Sequence, residues 1–84
     1  MANQADRVRE CVLQKYVQPA RLKHEHVVAV RAGDVHAELN FVNRFPLVCA
    51  ALGSDKLLEL GNLRRLSIDG PLNGANTLFV YRVL

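Results

Sequence analysis

His24 and His26 stand two residues apart, a spacing that on an extended strand puts both imidazoles on one face and offers a metal two nitrogen ligands. His36, Cys11 and Cys49 are the remaining candidates for such a site. A structural zinc normally shows four clearly spaced ligands, often built on Cys-x-x-Cys. This chain has two cysteines and no such pair, and both fall inside apolar helical patterns, where a thiol behaves as a small hydrophobe. The histidines read as solvated loop residues, with no metal and no cofactor. The other reactive side chains are equally scattered. Asp34, Glu38, Asp55, Glu59 and Asp69 fall on separate elements, none paired with a base or nucleophile in a recognisable arrangement. Ser54 and Ser67 lack the sharp strand-to-helix setting of a nucleophile elbow. No glycine-rich phosphate loop is present, and Asn73-Gly74 is a turn dipeptide. The expectation is a protein that is not an enzyme and has no catalytic residues.

What remains is recognition chemistry. The net charge of +3 permits binding to a polyanion without demanding it. Contact with a nucleic-acid backbone needs cations or amides aimed at phosphates, and base reading needs forked donors at groove depth. Arg44, Lys56, Arg64 and Arg65 supply cations, and Asn43, Asn73 and Asn76 supply amides. Arg64 and Arg65 are adjacent on a strand and point to opposite faces, so one of them at most meets a given partner. The competing role for Arg64, Arg65 and Arg82 is to guard an edge of a small sheet against aggregation. Arg21 and Lys23 close the first helix, where cations complement the helix dipole.

The elements that must position these residues follow one another closely. Residues 4–22 read as a helix with a broad apolar face of Val8, Cys11, Val12, Leu13, Tyr16, Val17 and Ala20. Pro19 stands late in that run, where it kinks or ends a helix. The face is wider than one core contact needs, so Leu13 and Val17 are candidates for a homodimer surface; the alternative is a small core that wraps the helix on both sides. Residues 27–30 are β-branched and read as a strand. Residues 32–39 read as a second helix with Asp34 in its first turn and Val35 and Leu39 inward. A tight connector leads to a third helix, 44–52, with Asn43 as its N-cap, Val48 and Leu52 inward, and Asn43, Arg44, Leu47, Ala50 and Ala51 outward. Gly53 ends it, and Ser54-Asp55 caps a short helix over 55–60 that ends at Gly61. Strands at 63–69 and 77–84 flank a Gly/Pro/Asn-rich tip, residues 70–76, too long for a two-residue turn and expected to project as a mobile loop. In the last strand Phe79, Tyr81 and Val83 are expected to be buried.

Eighty-four residues, half of them apolar, make one domain with a small core. No internal repeat, linker, signal peptide or membrane-spanning run is read, and the cysteine usage favours a reducing, cytoplasmic setting.

The order helix, strand, helix, tight turn, helix, hairpin resembles the winged helix-turn-helix superfamily. The resemblance runs from Asp6 to Leu84, and its local carrier is Val35-x-x-x-Leu39-x-Phe41-x-Asn43 followed by Val48 and Leu52. It lies in architecture and apolar spacing, and the short helix 55–60 departs from the simplest form. It implies an α+β winged helix in which the third helix enters the major groove of double-stranded DNA and the hairpin loop touches the backbone or minor groove. The residues it carries onto this sequence are Asn43, Arg44, Leu47, Lys56, Arg64, Arg65, Asn73 and Asn76. The implied role is a small transcription or chromatin-associated protein of modest sequence specificity, because Arg44 is the one forked cation on the third helix. The alternative is a protein-interaction module that uses Leu47, Ala50 and Ala51. RNA binding is a third reading, which would need an exposed ring such as Phe45.

Overall fold

The structure, a computed structural model, describes residues 3–71 and 73–84; Leu72 in the expected loop tip lies outside the described residues. It is an α+β arrangement of four helices and a three-stranded antiparallel sheet.

Helix α1 is continuous through three segments: α-helical Gln4–Val12, π-helical Leu13–Val17 and α-helical Gln18–Leu22. Asn3 caps it by accepting the Asp6 amide at 2.8 Å. Pro19 neither ends nor breaks the helix, and the π segment is the reason. Proline lacks an N–H, and its ring would strike the carbonyl four residues back. The Gln18 amide instead bonds to the Leu13 carbonyl, five residues back, which widens the turn just before the ring. The wide apolar face is enclosed by the chain's own core. Val17 is 1% exposed, and a Leu13 methyl packs over Gly61. Of the two residues considered for a homodimer surface, Val17 therefore has no surface to offer a second chain, while Leu13 is half-buried.

Strand β1 (Val27–Arg31) leads into α2 (Ala32–Glu38), α3 (Phe45–Leu52), α4 (Asp55–Gly61), β2 (Leu63–Asp69) and β3 (Leu78–Val83). The sheet order is β1-β3-β2, with β3 central. Pairing runs Val27 to Arg82 through Arg31 to Leu78 on one side, and Leu63 to Val83 through Asp69 to Leu78 on the other, with a bulge between Arg65 and Ser67. The alternation of β3 puts Phe79, Tyr81 and Val83 into the core. There they meet Val8, Val12, Val30, Val35, Val48, Leu52 and Leu57, all fully buried; each such side chain contributes about 1.5–3 kcal/mol of transfer free energy.

Three expectations for α3 and its neighbours need correction. Asn43 is not the N-cap; it is left-handed at φ 52°, as is Asn40 at φ 57°, and Arg44 takes the cap position. Asparagine is among the few residues that tolerate that backbone region. Ala51 is 2% exposed and faces the core instead of a partner. The α4 terminus is closed by left-handed Asn62 rather than by glycine. Ser54 does cap α4, accepting the Leu57 amide at 3.3 Å.

The C-terminal carbonyls of α3, which have no partner within the helix, are taken by side chains from outside it. Ser54 donates to the Ala51 carbonyl at 2.7 Å, buried Tyr81 to Leu52, and Arg65 to Gly53 at 2.7 Å. Two of these donors come from the sheet, so they fasten α3 to it.

Candidate nucleic-acid interface

The connector between α2 and α3 is built on one imidazole. His36 is buried, and its Nε2 accepts the Arg44 amide at 3.2 Å. A neutral ring that accepts there carries its proton on Nδ1. The His36 carbonyl accepts the Phe41 amide at 3.1 Å. The ring stacks on Phe45 with centroids 4.0 Å apart and meets Phe41 edge-on at 6.0 Å. The Arg7 guanidinium lies 5.4 Å from the centre of the Phe41 ring. This arrangement holds Arg44 at the start of α3 with its side chain exposed; among the described residues it forms no ion pair. One face of Phe45, the ring that the RNA reading needs exposed, is covered by His36.

The hairpin loop does not project freely. Thr77 is 3% exposed; its hydroxyl donates to the Pro71 carbonyl and accepts the Gly74 amide at 3.2 Å. The first amides of α2 reach into the loop: Ala32 donates to the Thr77 carbonyl at 2.9 Å and Gly33 to the Ala75 carbonyl at 2.8 Å. Arg31 bonds Asn76 Oδ1 at 2.6 Å and pairs with Asp34 at 2.9 Å. The Cys49 thiol points to the Gly74 carbonyl at 3.8 Å. Gly33 is required by this seam, because a Cβ there would lie 2.8 Å from the Ala75 carbonyl oxygen. The loop is thus stitched to the N-terminus of α2, and Asn76 is one of the stitches. Asn73 remains exposed at φ 55°.

The residues expected to touch DNA do not gather into one stripe. Asn43 and Arg44 are exposed at the start of α3, and Leu47 is half-buried. Lys56 pairs with Asp6 at 3.4 Å; the Asp6 carboxyl, hydrogen-bonded first of all by Arg9 and then by Lys56, is held below the usual carboxylate range. Arg65 turns inward to the Gly53 carbonyl. Arg64 stands on the other face of the sheet, opposite Arg82 in register. Past Arg44, the solvent side of α3 shows only Pro46 and Ala50 exposed. Between α3 and the hairpin lies a cleft of about 430 Å³ walled by Cys49, Ala50, Gly53, Ile68, Thr77 and Phe79.

Both cysteines are buried, and that burial pushes their thiols up. His24 and His26 are exposed, whereas His36, considered as their fellow ligand, is committed to the connector. Among the described residues no helix is long and apolar enough to cross a membrane.

Sequence reasoning missed His36, Thr77, Arg31 and Gly33 as the residues that shape this region. A signal for His36 was present: Ala32, Val35, His36 and Leu39 recur at helical spacing, which places the imidazole on the inward stripe. Thr77 and Arg31 carried no comparable signal, because their partners lie in other elements. No known family model, curated protein or solved structure matches this chain.

Proposed function

We propose that this chain is a winged-helix domain that grips duplex DNA by its phosphate backbone, with modest sequence specificity, as a cytoplasmic transcription or chromatin-associated protein. The element order, with the strand order β1-β3-β2, supports the winged-helix reading. The observation that carries the function is the placement of Arg44. A buried histidine, stacked on Phe45 and met edge-on by Phe41, fixes the backbone of an exposed arginine at the N-terminal end of the helix that would face the groove. A planar guanidinium suits phosphate oxygens, and the first amides of a helix add partial positive charge in the same direction. Arg7, held beside Phe41, is the adjoining cation. The uncharged surface of α3 beyond Arg44 is poor equipment for bases, so affinity would come mainly from counterion release.

The test is an anisotropy titration of random duplex DNA at two salt concentrations, with Arg44→Ala alongside the natural protein. Micromolar binding that weakens steeply with salt is expected, and the variant should lower the salt slope by about 1. Absence of binding at low salt overturns the reading.

The α3–hairpin cleft favours a second reading, a module that docks an apolar protein segment. It gains if the titration shows no duplex binding.

A further inference from the structure

All four helices pack on one face of the sheet, where Phe79, Tyr81 and Val83 point. The other face is open: Val27 is 54% and Leu66 50% exposed, and Ala29, Arg64 and Arg82 are exposed beside them. The register places Arg64 directly opposite Arg82, and Arg82 opposite Val27, so the two arginine side chains leave the sheet side by side on that face. Neither forms an ion pair among the described residues. Asp69 shares a strand with Arg64 but stands five residues away, about 16 Å along the strand.

Like charges directly opposite one another destabilise a sheet. Guarding an edge accounts for Arg64, which lies on edge strand β2, but not for Arg82, which lies on central strand β3. Cross-strand neighbours have Cβ atoms about 4.5–5.5 Å apart, so two forked donors there can share one phosphate or take two successive ones.

We propose that Arg64 and Arg82 form a second phosphate-backbone site, through which one molecule holds a second DNA duplex while the Arg44 side holds the first. This rests on the reading of Arg44 as a backbone contact. The two sites lie on opposite layers, since Arg44 belongs to the helical layer and the arginine pair to the bare face of the sheet. A duplex seated at α3 therefore leaves the pair uncovered.

The experiment is a capture assay. One duplex is immobilised on beads, the protein is added, and retention of a second, fluorescent duplex is read at low salt. The natural protein should retain the second duplex. Arg64→Ala with Arg82→Ala should abolish retention while still binding the immobilised duplex, and Arg64→Lys with Arg82→Lys should restore part of it. A control, Lys15→Ala with Lys23→Ala, removes the same formal charge from the first helix and its C-cap, outside both sites, and should leave retention intact. If the natural protein binds one duplex but retains no second, or if the double alanine variant retains it as well as the natural protein does, the proposal is overturned; the latter result would mean bridging by a dimer. If no duplex binds at all, the reading of Arg44 falls first, and this inference with it.

Discussion

Replacing Gly33 with alanine sets helix propensity against tertiary fit, and the structure decides the sign. In an isolated helix the change is favourable by about 1 kcal/mol, because alanine has less backbone freedom to lose. Here the new Cβ would lie 2.8 Å from the Ala75 carbonyl oxygen, 2.9 Å from Arg31 Nη1 and 3.3 Å from the Ala75 Cβ. The arginine tip can move; the Ala75 backbone can move only by lifting the loop off α2. That stretches the Gly33 amide bond to Ala75 and disturbs the neighbouring Arg31–Asn76 bond. Overpacking of this kind costs about 1–3 kcal/mol, and a weakened backbone hydrogen bond adds about 1 kcal/mol. Net of the propensity gain, Gly33→Ala should destabilise by about 1–3 kcal/mol. For 84 residues the unfolding entropy is about 0.18 kcal/mol/K, so the melting temperature should fall by about 6–17 °C. Calorimetry reads the fall, and amide exchange at residue 33 should quicken with it. A rise in melting temperature with that amide still protected would refute the claim that the loop is stitched to α2.

His36→Ala should cost about 2–4 kcal/mol, since it leaves a cavity beside Phe45 and an unpaired Arg44 amide. Denaturant midpoints measure the loss, and an Arg44 amide whose exchange stays slow would count against the role given to the imidazole. Tyr81→Phe should cost about 1–3 kcal/mol by leaving the Leu52 carbonyl without its donor. Burial pushes the Tyr81 phenol pKa up, so the folded state keeps a proton that the unfolded chain releases above about pH 10. The stabilisation is complete below that pH and declines as pH rises beyond it. The phenylalanine variant should show a shallower alkaline decline, with Tyr16, whose phenol is also raised by burial, contributing the remainder.

Much of the fold was legible because its cause is local. The apolar recurrence from Val8 to Ala20 is a helical period, and it marked α1 through Pro19 to Leu22. Strict alternation from Leu78 to Val83 marked β3 and its buried face. Arg64 and Arg65 part to opposite faces because strand geometry leaves neighbours no choice. The candidate site was less legible. Lys56 and Arg65 read as cations for a partner, yet Asp6 lies fifty residues from the first and Gly53 twelve from the second. The loop tip read as mobile from its glycines and asparagines, and only the arrival of α2 beneath it explains Thr77 and Gly33.

By itself, then, the sequence determined the kind of each element, its approximate ends and, apart from Ala51 on α3, which side of it turns inward, because periodicity acts within a few residues. Only the tertiary structure decided which polar side chains are consumed in holding the molecule together and which are left to meet a partner. Arg44, Arg64 and Arg82 are left exposed; Arg31, Arg65 and Lys56 are engaged. That division depends on hydrogen bonds and ion pairs between segments that packing brings together, and such distances are not encoded in the spacing of residues along the chain.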